Sequence, residues 1–158
     1  MSESIADRLR RWRFNLLPSY RGSGGWITYL AADWREVRVK LPRNFWTRNF
    51  VGTTYCGSMY AAVAPFYMAM IALNLGLEYL VWDKTVTIHF KKPGDTTLYA
   101  HFKLPDDEIA SIKADLDSKR ATERTYTIDL TNAAGTVYVS FEEIIYIRRK
   151  RPGIEKAS

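Results

Sequence analysis

Cysteine and histidine are almost missing from this sequence: Cys56, His89 and His101 are all that occur in 158 residues. A single thiol excludes an intramolecular disulfide and every multi-thiolate zinc pattern, and the scattered histidines match no metal-ligand spacing, so neither a metal nor a resident cofactor is expected. Glycine-rich loops of the phosphate-cradling kind are lacking too. The start of the chain has no apolar stretch followed by a small-residue cleavage site, so no signal peptide is expected, and the lone thiol fits a reducing compartment, the cytoplasm. Charge is missing from one long segment, Asn49 to Leu77. Its length would allow a membrane span. Asn74, Pro65 and several tyrosines lower its apolarity, however, and its flanks read as strands that need a partner core, so a buried central helix is expected and no membrane span.

What is present fits one globular domain over residues 1–158, with an N-terminal helix and loop at 1–22 and a basic tail at 149–158. Hydrophobic residues make up 47% and aromatics 14%, enough large side chains for a well-packed core without a covalent staple. The net charge of +6 would suit a polyanion. Its excess lies mostly at the ends, in Arg8, Arg10, Arg11 and Arg13 and in Arg148, Arg149, Lys150 and Arg151, and no nucleic-acid-binding motif accompanies it, so nucleic acid is not the expected partner.

Ile5, Leu9, Trp12 and Leu16 draw one apolar stripe on a helix that Pro18 ends, and this stripe is expected to lie on the body of the protein. Residues 26–30 and 36–41 read as a strand pair, the second alternating Val37, Val39 and Leu41 with Arg38 and Lys40. Ala, Met and Leu dominate the stretch from about 56 to 77, with Gly76 near its end, which predicts a helix apolar nearly all round. Such a helix must be enclosed by protein. Pro65 predicts a kink or an irregular first turn. Alternation then predicts strands around Val86 to Phe90 and Leu98 to Leu104, a short helix near 105–117 with Ile109, Ile112 and Leu116 inward, and strands at 122–130 and 135–147, with a frayed end after Ile147. The class is α+β, with an antiparallel sheet of about six strands around the long helix.

This order, together with Asn49, Gly52, Thr53, Gly57 and Ser58 entering the helix, then Val81-Trp82-Asp83-Lys84 and Phe90-Lys91-Lys92-Pro93-Gly94, resembles an uncharacterised thioesterase-like branch of the hotdog-fold superfamily. The resemblance covers about residues 25–148. It implies a homodimer or a dimer of dimers in which the strand after the central helix sits at the sheet edge and pairs with its own copy. On that topology His89 and His101 are not neighbours, although a simple hairpin centred on Asp95 would set them opposite each other. Phenylacetate-pathway-type acyl-CoA thioesterases, which the chain resembles at a distance, carry an Asn and a His-Gly-Gly turn before the helix and an acid on it. Here Tyr55 stands in place of the His, Cys56-Gly57 in place of Gly-Gly, and Ala64, or Pro65 if the register shifts by one, in place of the acid.

The resemblance implies an acyl thioester as partner, with coenzyme A as part of the substrate. The backbone amides of Gly57 and Ser58 would polarise the thioester carbonyl and Asn49 would hold water; the opposed reading is that these residues only shape the entry to the helix. Thr53, Thr54 and Tyr55 are candidate substrate contacts or caps. Asp83 and Lys84 are either contacts at a dimer interface or an exposed ion pair. Lys91 and Lys92 would meet coenzyme A phosphates or merely keep an edge strand soluble, and His89 is a further contact candidate. Cys56 is expected as a buried, inert thiol. The function expected is acyl-CoA binding with hydrolysis at a dimer interface; the alternative is a non-catalytic ligand-binding or scaffold protein that lost the acid.

Overall fold

Pro18 has no amide to continue a helix, and the chain breaks there into α1 (Ile5–Leu16) and the single turn α2 (Pro18–Arg21). The computed structural model describes residues 5–150; the end of the basic tail, 151–158, lies outside the described residues. β1 (Trp26–Leu30) and β2 (Glu36–Leu41) form the expected antiparallel pair, with Ile27, Leu30, Val37, Val39 and Leu41 all buried.

α1 does not pack as its periodicity predicts. Ile5, Leu9, Trp12 and Leu16 face outward, with Leu9 62% exposed, while Asn15 on another face is fully buried. The reason is the free edge of β1. Asn15 donates from Nδ2 to the Ile27 carbonyl (3.1 Å) and accepts from the Ile27 amide at Oδ1 (2.8 Å), acting as a one-residue partner strand. Phe14 follows it inward, against Tyr20, Trp34 and Phe66.

The uncharged segment forms α3 (Cys56–Val63) and α4 (Phe66–Leu75), separated at Ala64–Pro65 as the proline predicts. The second segment stops at Leu75, where Gly76 takes φ 102°, a conformation that suits glycine. Together the two are long and apolar enough by composition to cross a membrane. In the fold they are the core helix, with Met59, Ala62, Val63, Phe66, Met70 and Ile71 buried against the sheet.

The sheet closes around this helix with β3 (Tyr79–Phe90), β4 (Leu98–Lys103), β5 (Ala121–Thr131) and β6 (Val137–Arg149), in the order β1-β2-β4-β5-β6-β3. This is the hotdog arrangement, with the strand after the central helix at one edge. Strands β4 and β5 meet through one registered pair, Tyr99 with Thr131, whereas β6 is paired along nearly its whole length on both sides. β6 continues to Arg149 rather than fraying after Ile147; Arg149 bonds Asp117 at 2.7 Å and lies over the Tyr79 ring. α5 (Glu108–Ser118) buries Ile109, Ile112 and Leu116 as predicted. Phe66 packs 5.0 Å from Phe102, and Tyr67 stacks on Tyr126 at 4.5 Å, tying helix to sheet.

Candidate functional site

Two hollows adjoin the core helix. The first, about 370 Å³, opens where α3 begins and is lined by Asn49, Thr53, Cys56, Met59, Phe90 and Lys92 among others. Asn49 folds its own loop: Oδ1 accepts from the amides of Val51 and Thr53, both at 3.1 Å, and Nδ2 donates to Thr53 Oγ1 at 2.9 Å. Gly52 supplies the positive φ (86°) that this turn needs. Buried Thr54 then ties the loop to the segment after β3, donating from its amide (2.7 Å) and from Oγ1 (3.1 Å) to the Gly94 carbonyl. Gly94 must be small, since a Cβ there would stand 2.8 Å from Thr54 Cβ.

No side chain caps α3. Its first amides, at Cys56, Gly57 and Ser58, therefore lack the acceptors that a helix interior provides, and they carry the positive end of the helix dipole. Cys56 is exposed, contrary to expectation, because it occupies the outward side of that first turn. Gly57 lies against the exposed Tyr55, whose ring fills the place a side chain would take, and Ser58 is buried. The cleft thus gathers Asn49, Thr53, Thr54 and Lys92, with Gly57 and Ser58 following Cys56 in the turn.

The remaining candidates lie elsewhere. Lys84 is a bulge residue on β3 and pairs with Glu123 at 2.6 Å on the solvent side of the sheet. It makes no pair with Asp83, which points the other way. His89 registers with Ser140 on β6, and His101 with Arg38 on β2, bonding Glu36 Oε1 at 2.8 Å, so the two histidines do not meet. Among the described residues no three metal-ligating side chains converge.

The second hollow, about 340 Å³, lies at the break between α3 and α4, lined by Phe14, Tyr20, Ala61, Ala64, Pro65 and Asp83 among others. It adjoins a feature that the sequence reading missed. β6 turns Val139, Phe141, Glu143, Ile145 and Ile147 inward, and Glu143 is wholly buried between Val86 of β3 and Tyr126 of β5. The bulge at Lys84 brings Asp83 inward as well, in register with Ile145, one inward position along the sheet from Glu143. Neither Glu143 carboxyl oxygen, nor Oδ1 of Asp83, has a hydrogen-bond partner. Burial first, and then the charge of Asp83, pushes Glu143 up to about 8; burial raises Asp83. Burial raises the phenols of both Tyr60 and Tyr67, with a further push on Tyr60 from Asp83 and Glu143 and on Tyr67 from Glu143. An inward position on an alternating strand was the available signal, but Glu142 and Glu143 are adjacent and only the register decides which one is buried.

A search of curated proteins finds no relative. Solved structures resemble the chain along nearly its full length. A Pseudomonas aeruginosa protein of unknown function, described as a probable thioesterase, superposes with a TM-score of 0.77 at 18% identity, covering 90% of this chain and 95% of that one. A protein of unknown function from Chlorobaculum tepidum gives 0.71 at 16% identity, with 92% and 95% covered. A Haemophilus influenzae thioesterase gives 0.65 at 10% identity, with 98% and 96% covered. At such identities the likeness is one of fold, the thioesterase-like hotdog. A family model described as a domain of unknown function, DUF4442, matches residues 8–147, and the chain belongs to that family.

Proposed function

We propose that this protein binds an acyl thioester, of the acyl-CoA class, in the cleft at the start of α3, and that a homodimer joined through β3 hydrolyses it. The observation that carries the reading is the uncapped first turn of α3 opening on that cleft. Amides so placed would hold the thioester carbonyl and stabilise the oxyanion formed on attack. Met59 and Phe90 offer apolar surface to an acyl chain, and Lys91 and Lys92 offer charge to coenzyme A phosphates. Asn49 keeps one N–H beyond those its loop uses, available to a ligand or a water. Tyr55, exposed beside Gly57, and His89, on the same strand as Phe90, extend the surface available to the substrate.

Support for the dimer comes from β3. It is a twelve-residue edge strand with one backbone side unpaired, and Trp82 and Phe90 stand exposed on it. Long edges of this kind invite pairing with another strand. The cytoplasm, with its thiol-reducing chemistry, is the compartment that suits the exposed Cys56.

Free-thiol release from acyl-CoAs of short, medium and long chain tests the reading, with Asn49→Ala as the control for contaminating esterase. Release that Asn49→Ala abolishes supports hydrolysis in this cleft. A second reading, a binding protein without turnover, is favoured by one observation: neither α3 nor α4 carries a carboxylate. Acyl-CoA binding with no thiol release from any chain length selects it.

A further inference from the structure

α1 turns its apolar stripe away from the protein, and that orientation is held in place. Asn15 is tied to the edge of β1 and Phe14 packs inward against Phe66, so Ile5, Leu9, Trp12 and Leu16 are left facing solvent. At about 100° per residue, Arg8 and Arg13 fall on the two flanks of the stripe, and both are exposed. Arg10 and Arg11 are used within the fold, donating to the Ala32 and Ile27 carbonyls. A helix whose apolar face is bordered by arginines is suited to lie in a lipid–water interface, its stripe among the acyl chains and its cations among the phosphates.

A second element carries the same chemistry. In the loop after β2, Phe45, Trp46 and Phe50 are 78%, 85% and 100% exposed, and Arg43 and Arg48 stand among them, exposed as well. Trp26 joins the two elements. Its ring meets Trp12 edge-on at 5.2 Å, and with Trp46 and Arg21 it lines a hollow of about 490 Å³. The helix and the loop thus form one continuous apolar band, and soluble monomers rarely leave so much apolar surface uncovered without a use for it. Acids are kept out of it. Residues 8–32 hold five arginines and no Asp or Glu, residues 37–77 hold four cations and no Asp or Glu, and Asp7, the one acid of α1, is buried.

We propose that this protein docks on an anionic membrane surface through this band, with α1 lying along the interface and Trp46 and its neighbours inserting beside it. Charge complementarity selects that occupant. Nucleic acid would answer the arginines but leave Ile5 and Leu9 without a partner. A second copy seated on the same stripe would bring Arg8 and Arg13 of both chains face to face. Lipid answers both features at once, with acyl chains for the stripe and anionic headgroups for the arginines. No membrane span is involved: α1 has 12 residues, roughly 18 Å, too short to cross and long enough to lie flat. β1 and β3 are the two outer strands of the sheet, so α1 stands at the edge opposite the one proposed for the dimer, and docking does not depend on the acyl thioester.

The test is co-sedimentation of the full chain with vesicles of phosphatidylcholine alone, and of phosphatidylcholine with about one-third phosphatidylserine, at low and high salt. Binding to the anionic vesicles that weakens with salt, and at least about tenfold weaker binding to the neutral ones, is expected. Net charge alone would give part of that result, so two charge-neutral changes decide the matter: Leu9→Gln on α1 and Trp46→Gln on the loop. Each should weaken binding to the anionic vesicles at least about fivefold while the urea midpoint holds. Because they lie on separate elements, a folding defect in one leaves the other to be scored. A wild type that does not bind the anionic vesicles overturns the proposal. So does binding that both substitutions leave unchanged, which would be adsorption by net charge. A fall in solution mass on either substitution in the absence of lipid also overturns it, since the band would then be occupied by a second copy.

Discussion

Asp83 of β3 and Glu143 of β6 turn their carboxyls to the same buried side of the sheet, beneath the break at Pro65. Two like charges in a desolvated place cannot both be held cheaply, so the pair keeps a proton at neutral pH, and that proton resides on Glu143.

A dependence of stability on pH follows from this. Glu143 holds its proton in the folded chain up to about pH 8, against 4.5 as the ordinary value. Between those values the folded state binds more protons than the unfolded one, so stability is full below about 4.5 and falls as pH rises towards 8. The loss is at most about 5 kcal/mol. Urea midpoints should decline across this window in the wild type and hold more nearly level in Glu143→Gln, which should be the more stable of the two at pH 9.

The edge of β1 is held at Ile27 chiefly by Asn15, with Arg11 Nη1 also donating to the Ile27 carbonyl at 3.3 Å. Asn15→Ala removes both of its bonds to Ile27, leaving the amide without its side-chain acceptor and the carbonyl with Arg11 as its side-chain donor. The expected cost is about 2 kcal/mol, read from urea unfolding, with α1 loosened.

These two sites also separate what the sequence discloses from what it hides. Alternation and composition are local properties, and they were enough for the hairpin at 26–41, the enclosed helix, the break at Pro65 and the inward stripe of α5. The resemblance put β3 at the edge and kept His89 from His101, and the register agrees. The face that α1 presents was illegible, because a free strand edge prefers Asn15 over the apolar stripe and that edge is a tertiary feature. Asp83 was equally illegible in placement: the bulge at Lys84 breaks the two-residue period, so that Asp83 and Val86, three residues apart, both face inward. Of the proposed thioester contacts, Asn49, Thr53, Thr54 and Lys92 do come together, because Thr54 stitches their two loops at Gly94.

Association through β3 predicts a solution mass of twice the 18.3 kDa chain, or a multiple of it, by sedimentation equilibrium. A monomer at micromolar concentration would leave the exposed edge without its expected occupant.

Replacing Lys91 and Lys92 together by Ala should weaken acyl-CoA binding about tenfold at low salt, with the difference shrinking at high salt as ionic screening weakens the attraction that these lysines supply in the wild type. Titrations at two salt concentrations read this directly.

The central claim is that an acyl thioester sits in the cleft between α3 and Gly94. Calorimetric titration of a hydrolysis-resistant acyl-CoA thioether into the wild type and into Gly94→Ala, whose added methyl group would crowd Thr54, tests it most directly. Saturable binding by the wild type, with one ligand per cleft, that Gly94→Ala weakens while remaining folded is the predicted result. No binding by the wild type, or binding that Gly94→Ala leaves untouched, would contradict it.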